Sequence, residues 1–270
     1  MDRLLFTSLL REPNRISLLD RGTVSSTNTL LKALGAEGAP EGTLMIAEGQ
    51  TQGRGRLGRT FESPVGTGLY ASLLLRPDMT VDQLNMITIF AAVAIAEGIE
   101  EVCGLRPEIK WVNDLYLDDR KVCGILAESS PDPDTGRPAY VVLGFGINLE
   151  APQGGFTGSA TGIAGALYRH GEAPKELREK LAAAIVNRLL AYYDETSSTE
   201  GDDLSYMERY TSANYVLGKD IFLLGDITRP ETARPAHAVA IDPRGRLIVE
   251  LPDGTKETIS CGDVTVRIRH

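Results

Sequence analysis

The chain has 270 residues, 42% apolar and 24% charged, which is enough apolar material for a buried core and too much for wholesale disorder. Its 28 Lys and Arg against 37 Asp and Glu leave a net charge of −9, a sign that opposes general attraction to nucleic-acid backbones or anionic membranes. Cys103, Cys123 and Cys261 form no CxxC pair and His170, His237 and His270 stand apart, which argues against a disulfide framework, a zinc ribbon or a histidine triad and favours a reducing cytoplasm.

The opening run Leu4-Leu5-Phe6 is too short for a signal-peptide core and no stretch of about 20 apolar residues follows, so neither secretion nor a membrane span is expected. The first 22 residues alternate short apolar runs with Arg and Pro and are too few for a helix-turn-helix domain. Ser25-Ser26-Thr27-Asn28 supplies capping side chains ahead of Leu30, Leu31 and Leu34, a short helix stopped at Gly35. Thr43–Ala47 is of strand length and opens into a Gly- and Arg-rich loop from Glu48 to Gly68; Leu69–Leu75 is the next strand, ended by Arg76-Pro77. Residues 82–102 carry apolar side chains every three or four positions up to Gly104, a long buried helix.

Three strands broken by turns follow, Ile109–Val112, Leu115–Leu117 and Lys121–Ala127, and Ala139–Leu143 adds another that ends at Gly144-Phe145-Gly146. This predicts a mostly antiparallel sheet of five or six strands. Beyond the Gly-rich loop 153–165, Pro174 is placed in the first turn of a helix striped by Leu177, Leu181, Ile185, Leu189 and Tyr192. A polar patch from Glu195 to Asp203 precedes a shorter helix through Tyr210. Past Asn214 the chain turns to short strands at 221–224, 236–241, 246–251 and 255–259 around tight turns, the texture of a small β-barrel.

Three segments concentrate the chemistry. Gly53-Arg54-Gly55-Arg56-Leu57-Gly58-Arg59 places three fork-shaped donors for carboxylate or phosphate on a backbone able to wrap a ligand, or is a solvated linker. Lys110, in Lys110-Trp111-Val112-Asn113-Asp114-Leu115, shares a strand face with Val112 and is either a snorkelling edge residue or an anion ligand; Asn113-Asp114 reads as a structural turn. Gly144-Phe145-Gly146-Ile147-Asn148 lacks the third glycine and the following helix of a dinucleotide fingerprint, and its glycines suit close approach of a flat ligand or a kinked strand. Asn148 offers an amide oxygen to hydrated Mg²⁺, or ends a turn.

Together with Ser26-Thr27-Asn28, Glu48-Gly-Gln50 and Arg120-Lys-Val-Cys-Gly-Ile-Leu126, these segments occur in the order and spacing of the biotin protein ligases, which residues 24–150 resemble. Val112 departs from the family's usual proline, and Phe61 stands where tryptophan is often found. The resemblance implies an α+β fold with a mostly antiparallel or mixed sheet flanked by helices, a class II synthetase-like catalytic domain over 1–215, and an SH3-like barrel over 216–270. It implies biotin and ATP as substrates with Mg²⁺, biotinyl-5′-AMP as intermediate, and a lysine of a carboxyl carrier domain as acceptor.

By the same resemblance Arg54, Arg56 and Lys110 are the catalytic cations. Ser26, Thr27, Asn28 and Gln50 hold biotin, with Gly124, Gly144 and Gly146 allowing close approach. Gly53, Gly55, Arg59 and Phe61 belong to the covering loop, and Trp111, Asn113, Ile125, Leu126 and Asn148 complete the ligand-binding set. No direct metal motif is present. Lipoate or octanoate transfer on the same fold is the nearest rival, ahead of a nucleic-acid regulator and a non-catalytic biotin binder. The two dozen residues before Ser25 are too few for a winged helix, so DNA binding is not expected; a homodimer is compatible with the sequence.

Overall fold

The computed structural model describes residues 1–198, 204–225, 230–260 and the backbone of 265–268; Cys261 and His270 lie outside the described residues. The first 24 residues, to which the sequence pattern assigns no particular element, form helix α1 (Arg3–Leu9) and strand β1 (Ser17–Val24). Asp2 caps α1 by accepting from the amides of Leu4 and Leu5. β1 escapes the sequence pattern because it is an edge strand, with Asp20, Arg21 and Gly22 breaking the apolar alternation. It pairs parallel with β2 (Thr43–Gln50), across helix α2 (Thr27–Ala36).

Strands β3 (Gly68–Leu75), β4 (Glu108–Lys110), β5 (Asp114–Leu117), β6 (Arg120–Pro131) and β7 (Pro138–Asn148) complete a seven-stranded sheet in the order β1-β2-β3-β7-β6-β5-β4, antiparallel everywhere except β1–β2. One face carries Ile46, Leu73, Leu143, Phe145 and Ile147 into a core shared with α3 (Asn85–Cys103) and α4 (Leu177–Ser198). Burial of α3 on nearly every side explains its weak amphipathicity. The other face meets α2 through Leu31, Leu74, Tyr140 and Val142.

Several local expectations change. β4 stops at Lys110, so Val112 is not in a strand but buried in the following turn, where the Trp111–Val112 peptide is cis. Pro174 precedes α4 rather than entering its first turn: Glu176 has φ +61° and the helix begins at Leu177. Glu195–Ser198, read as a polar linker, closes α4 before α5 (Tyr206–Ser212). Gly144 and Gly146 lie inside β7, not beyond it.

The C-terminal strands β8 (Asp220–Leu224), β9 (Arg234–Ile241), β10 (Leu247–Glu250), β11 (Lys256–Ile259) and β12 (Thr265–Ile268) form an antiparallel sheet in the order β11-β10-β9-β8-β12, the short-stranded β unit that the tail texture predicts and of the SH3-like kind that the resemblance implies. Its β9–β10 turn sits on the first sheet: Trp111 Nε1 donates to Gly245 O at 3.0 Å, and Asn85 Nδ2 to Arg244 O at 3.3 Å. Gly245 has φ +73°, and a Cβ there would lie 1.7 Å from Ile89 Cδ1.

Candidate functional site

The period of two in β7 puts Gly144, Gly146 and Asn148 on the face that meets α2. Register sets Gly124 of β6 beside Gly146, Leu126 beside Gly144, and Ser72 of β3 on the far side of Gly144. With three glycines and a serine clustered on it, the sheet face cannot fill the space under α2. The result is a small recess lined by Ser26, Thr27, Asn28, Gln50, Arg54, Phe61, Ala71, Gly124, Leu126, Gly144, Phe145 and Gly146.

The N-terminus of α2 forms its polar end. Ser26 caps the helix by accepting from Thr29 N, and Ser26, Thr27 and Asn28 are all buried. Gln50 Oε1 accepts from Thr27 N at 2.9 Å and from the Thr27 hydroxyl at 3.1 Å, while Gln50 Nε2 donates to Ser63 Oγ at 2.9 Å. Behind them the Ser72 hydroxyl lies 2.8 Å from Thr27 Oγ1 and 2.6 Å from Asn28 Oδ1. Apart from Arg54, the polar lining is thus neutral, made of hydroxyl and amide groups.

The Gly/Arg segment is less open than its composition suggests. Gln50 N donates to Ser63 O, Phe61 N to Gly53 O and Gly55 N to Arg59 O, so the segment folds back on itself as a ladder. Gly53 lines no cavity; a Cβ there would lie 2.2 Å from Phe61 O, so the close approach of these two backbones is its task. The ladder lays the Phe61 ring over the two glycines of β6 and β7, where Cβ atoms on Gly146 and Gly124 would fall 2.5 and 3.2 Å from ring carbons.

Beyond Phe61 the recess opens into a larger cleft of about 840 Å³, whose walls include Gly55, Arg56, Arg59, Lys110, Trp111, Asn113, Asp114, Tyr116, Lys121, Ile125 and Asn148. Arg54, Phe61 and Gly124 belong to both spaces. Asn113, read as a plain turn residue, ties three segments: its Nδ2 donates to Ile125 O at 2.7 Å, and its Oδ1 accepts from Arg56 Nη1 at 3.2 Å. Lys110 Nζ stands 5.0 Å from the Tyr116 ring centre and 3.4 Å from its hydroxyl. Burial, reinforced by the Asp114 carboxylate, pushes the Tyr116 phenol up, so it stays protonated beside Lys110.

Every residue singled out in the sequence except Gly53 therefore lines one space or the other. Three assignments are adjusted by their contacts. The Arg54 guanidinium lies on the Glu128 carboxylate at 3.0 Å, so its charge is already matched. Trp111 is buried with its indole N–H committed to Gly245. Asn148 is buried and donates to Gly165 O at 2.8 Å; among the described residues no three His, Cys, Asp or Glu side chains converge to hold a metal ion.

Two residues without a task in the sequence reading also stand here. Lys121 Nζ is 2.6 Å from Asp114 Oδ1 and 5.9 Å from the centre of the Phe61 ring. A strand-borne lysine three residues before Gly124, on the wall of a cationic cleft, was the available signal. Glu128, seventy-four residues from Arg54, gave none.

Residues 22–148 match the biotin/lipoate A/B protein ligase family, and residues 233–267 match the biotin protein ligase C-terminal domain. The chain is 32% identical over 246 residues to the bifunctional ligase/repressor BirA of Bacillus subtilis, an alignment covering 90% of this chain and 72% of that one. It is 34% identical over 134 residues to the biotin–[acetyl-CoA-carboxylase] ligase of Mycobacterium tuberculosis, covering 47% and 48% of the two chains. Its fold superposes on the Aquifex aeolicus biotin protein ligase in complex with biotin and ATP with a TM-score of 0.76 at 25% identity, over 94% of this chain and 99% of that one. Among the described residues no helix is long and apolar enough to cross a membrane.

Proposed function

The chain belongs to the biotin protein ligase family and is a biotin ligase, and from that premise we propose a two-step reaction. The carboxylate of biotin attacks the α-phosphorus of ATP, giving biotinyl-5′-AMP and releasing pyrophosphate. A lysine amine of a carboxyl carrier domain then attacks the acyl carbon and AMP leaves. The observation that carries this reading is the shared wall of Arg54, Phe61 and Gly124 between a neutral polar recess and a cationic cleft. A cyclic urea head suits the hydroxyls and amides of Ser26, Thr27 and Gln50, and a carboxylate tail leaving the recess reaches the cations.

In the first step two anions must be brought together, so alignment and charge do the catalytic work. Arg56, Arg59, Lys110 and Lys121 are cations on the cleft wall, while Arg54, shared with the recess, holds the loop base against Glu128. Loss of one cleft cation costs about 2.7–4 kcal/mol of transition-state stabilisation, on the scale of a lost oxyanion donor. Magnesium would come with the nucleotide substrate; among the described residues no three His, Cys, Asp or Glu side chains converge to hold it, and Asn148 on the cleft wall would offer it an amide oxygen. In the second step Asp114, already matched by Lys121, serves better to orient that lysine than to take a proton from the incoming amine.

Phe61 and the laddered segment cover the reacting bond and exclude water from the mixed anhydride. We divide the chain near residue 215, with the tail turn seated on Trp111 beside the cleft. The test is incubation with labelled biotin or labelled lipoate, MgATP and a carrier domain. Label from biotin appears on the carrier; transfer of lipoate instead, or of neither, refutes the reading.

A further inference from the structure

Glu128 lies near the end of β6, outside the motifs quoted for the family resemblance, yet its carboxylate touches two residues that line the recess, Asn28 and Arg54, and is only 16% exposed. It accepts from Asn28 Nδ2 at 3.1 Å and from Arg54 Nη1 at 3.1 Å, and its other oxygen lies 4.0 Å from Lys32 Nζ. The second amide proton of Asn28 goes to Leu126 O at 3.1 Å. Both donors of Asn28 are therefore used, and its orientation is fixed with Oδ1 toward Ser72.

A carboxylate only accepts, so Asn28 cannot turn over without setting its own oxygen against Glu128. Ser72, fully buried, must then spend its single proton on Asn28 Oδ1. That leaves Ser72 an acceptor toward Thr27, whose own proton goes to Ser72 or to Gln50 Oε1. In either case the Thr27 oxygen receives no proton from behind, and its lone pairs face the recess. Were Asn28 to turn over, Ser72 would donate to Thr27 and one of those lone pairs would be consumed.

We propose that Glu128 is a positioning residue that sets the donor–acceptor polarity of the recess through Asn28 and Ser72, holding Thr27 as an acceptor for a ring N–H of the cyclic urea. This deepens the biotin reading above and rests on it. Glu128→Gln keeps the shape but can both donate and accept, which releases the constraint on Asn28.

The test is calorimetric titration of biotin into the full chain. Wild type binds; Glu128→Gln binds about tenfold more weakly, a change of about 1.4 kcal/mol and the size of a lost charge-assisted hydrogen bond. Lys32→Met, which removes the cation beside the carboxylate that lines neither space, weakens binding less than threefold. On an Asn28→Ala background, or on Ser72→Ala if that variant does not fold, Glu128→Gln adds less than twofold. In the joining reaction the loss falls on KM for biotin, with kcat lowered less than threefold. Wild-type affinity in Glu128→Gln, an equal loss in Lys32→Met, or multiplied effects in the double variant would each overturn the proposal. No heat from biotin with the wild-type chain would instead refute the biotin reading.

Discussion

Gly144 and Gly146 are two residues apart on one face of β7, so Gly144→Ala and Gly146→Ala make the same chemical change against different neighbours. At Gly144 the new Cβ would lie 1.9 Å from Asn28 Oδ1 and 2.7 Å from Asn28 Cγ. Asn28 cannot retreat, because it is 4% exposed, bonded to Leu126 O and Glu128, and backed by Ser72. Overpacking of that kind costs about 1–3 kcal/mol, and the Asn28–Ser72 bond goes with it. Taking about 2 kcal/mol, Tm falls by about 4–8 °C on the scaling for large domains, and biotin binding weakens at least tenfold. At Gly146 the obstacle is the Phe61 ring, 2.5 Å away but carried by a half-exposed residue of the surface loop, which can lift. Gly146→Ala therefore keeps Tm within about 2 °C. Thermal melting followed by circular dichroism, with biotin titration alongside, measures both variants. Equal Tm shifts, or a larger one for Gly146→Ala, would refute the argument that the rigidity of the neighbour decides the cost.

Lys110→Ala nearly abolishes biotin-dependent pyrophosphate release while the melting curve is kept; undiminished release would remove Lys110 from the cleft's catalytic set. Trypsin cuts at Arg54, Arg56 or Arg59 more slowly when biotin and MgATP are present, and equal digestion with and without them would count against residues 53–62 as a ligand cover. Cys123 is fully buried and burial pushes its thiol well up, so a thiol reagent at pH 8 labels it only after denaturation. Prompt labelling of Cys123 in the native protein would contradict its position on the core face of β6. Trp111→Phe removes the indole donor to Gly245 and lowers stability by about 1 kcal/mol, read by urea titration; no change would mean that the bond is not formed in solution.

What could be read from the sequence was what is local. Arg54, Arg56 and Arg59 in an acidic chain, Lys110 next to a turn, and paired glycines in an apolar strand each announce themselves within a few residues. The seven-stranded sheet was mostly legible for the same reason, since β3, β6 and β7 bury one or both faces and carry the pattern. β1 was not, because an edge strand tolerates Asp20, Arg21 and Gly22. The partners of the site residues were illegible wherever the pairing is distant. Nothing near Trp111 points to Gly245, nothing near Arg54 points to Glu128, and Lys121 reads as a surface lysine until Asp114 is brought beside it. The ladder that organises Gly53–Phe61 was hidden by its composition, which signals freedom while its hydrogen bonds remove it.

The contact between the tail turn and Trp111 separates two kinds of sequence constraint. The acceptor is a backbone carbonyl, which any residue carries, and the neighbouring Arg244 likewise offers Asn85 only its carbonyl. Side-chain identity in that turn is thus free to drift as far as these two bonds are concerned. Gly245 itself is not free, since φ +73° and the contact with Ile89 exclude a Cβ. The tail is recognised here by its outline, and its chemistry can diversify for other purposes without loosening its seat beside the cleft.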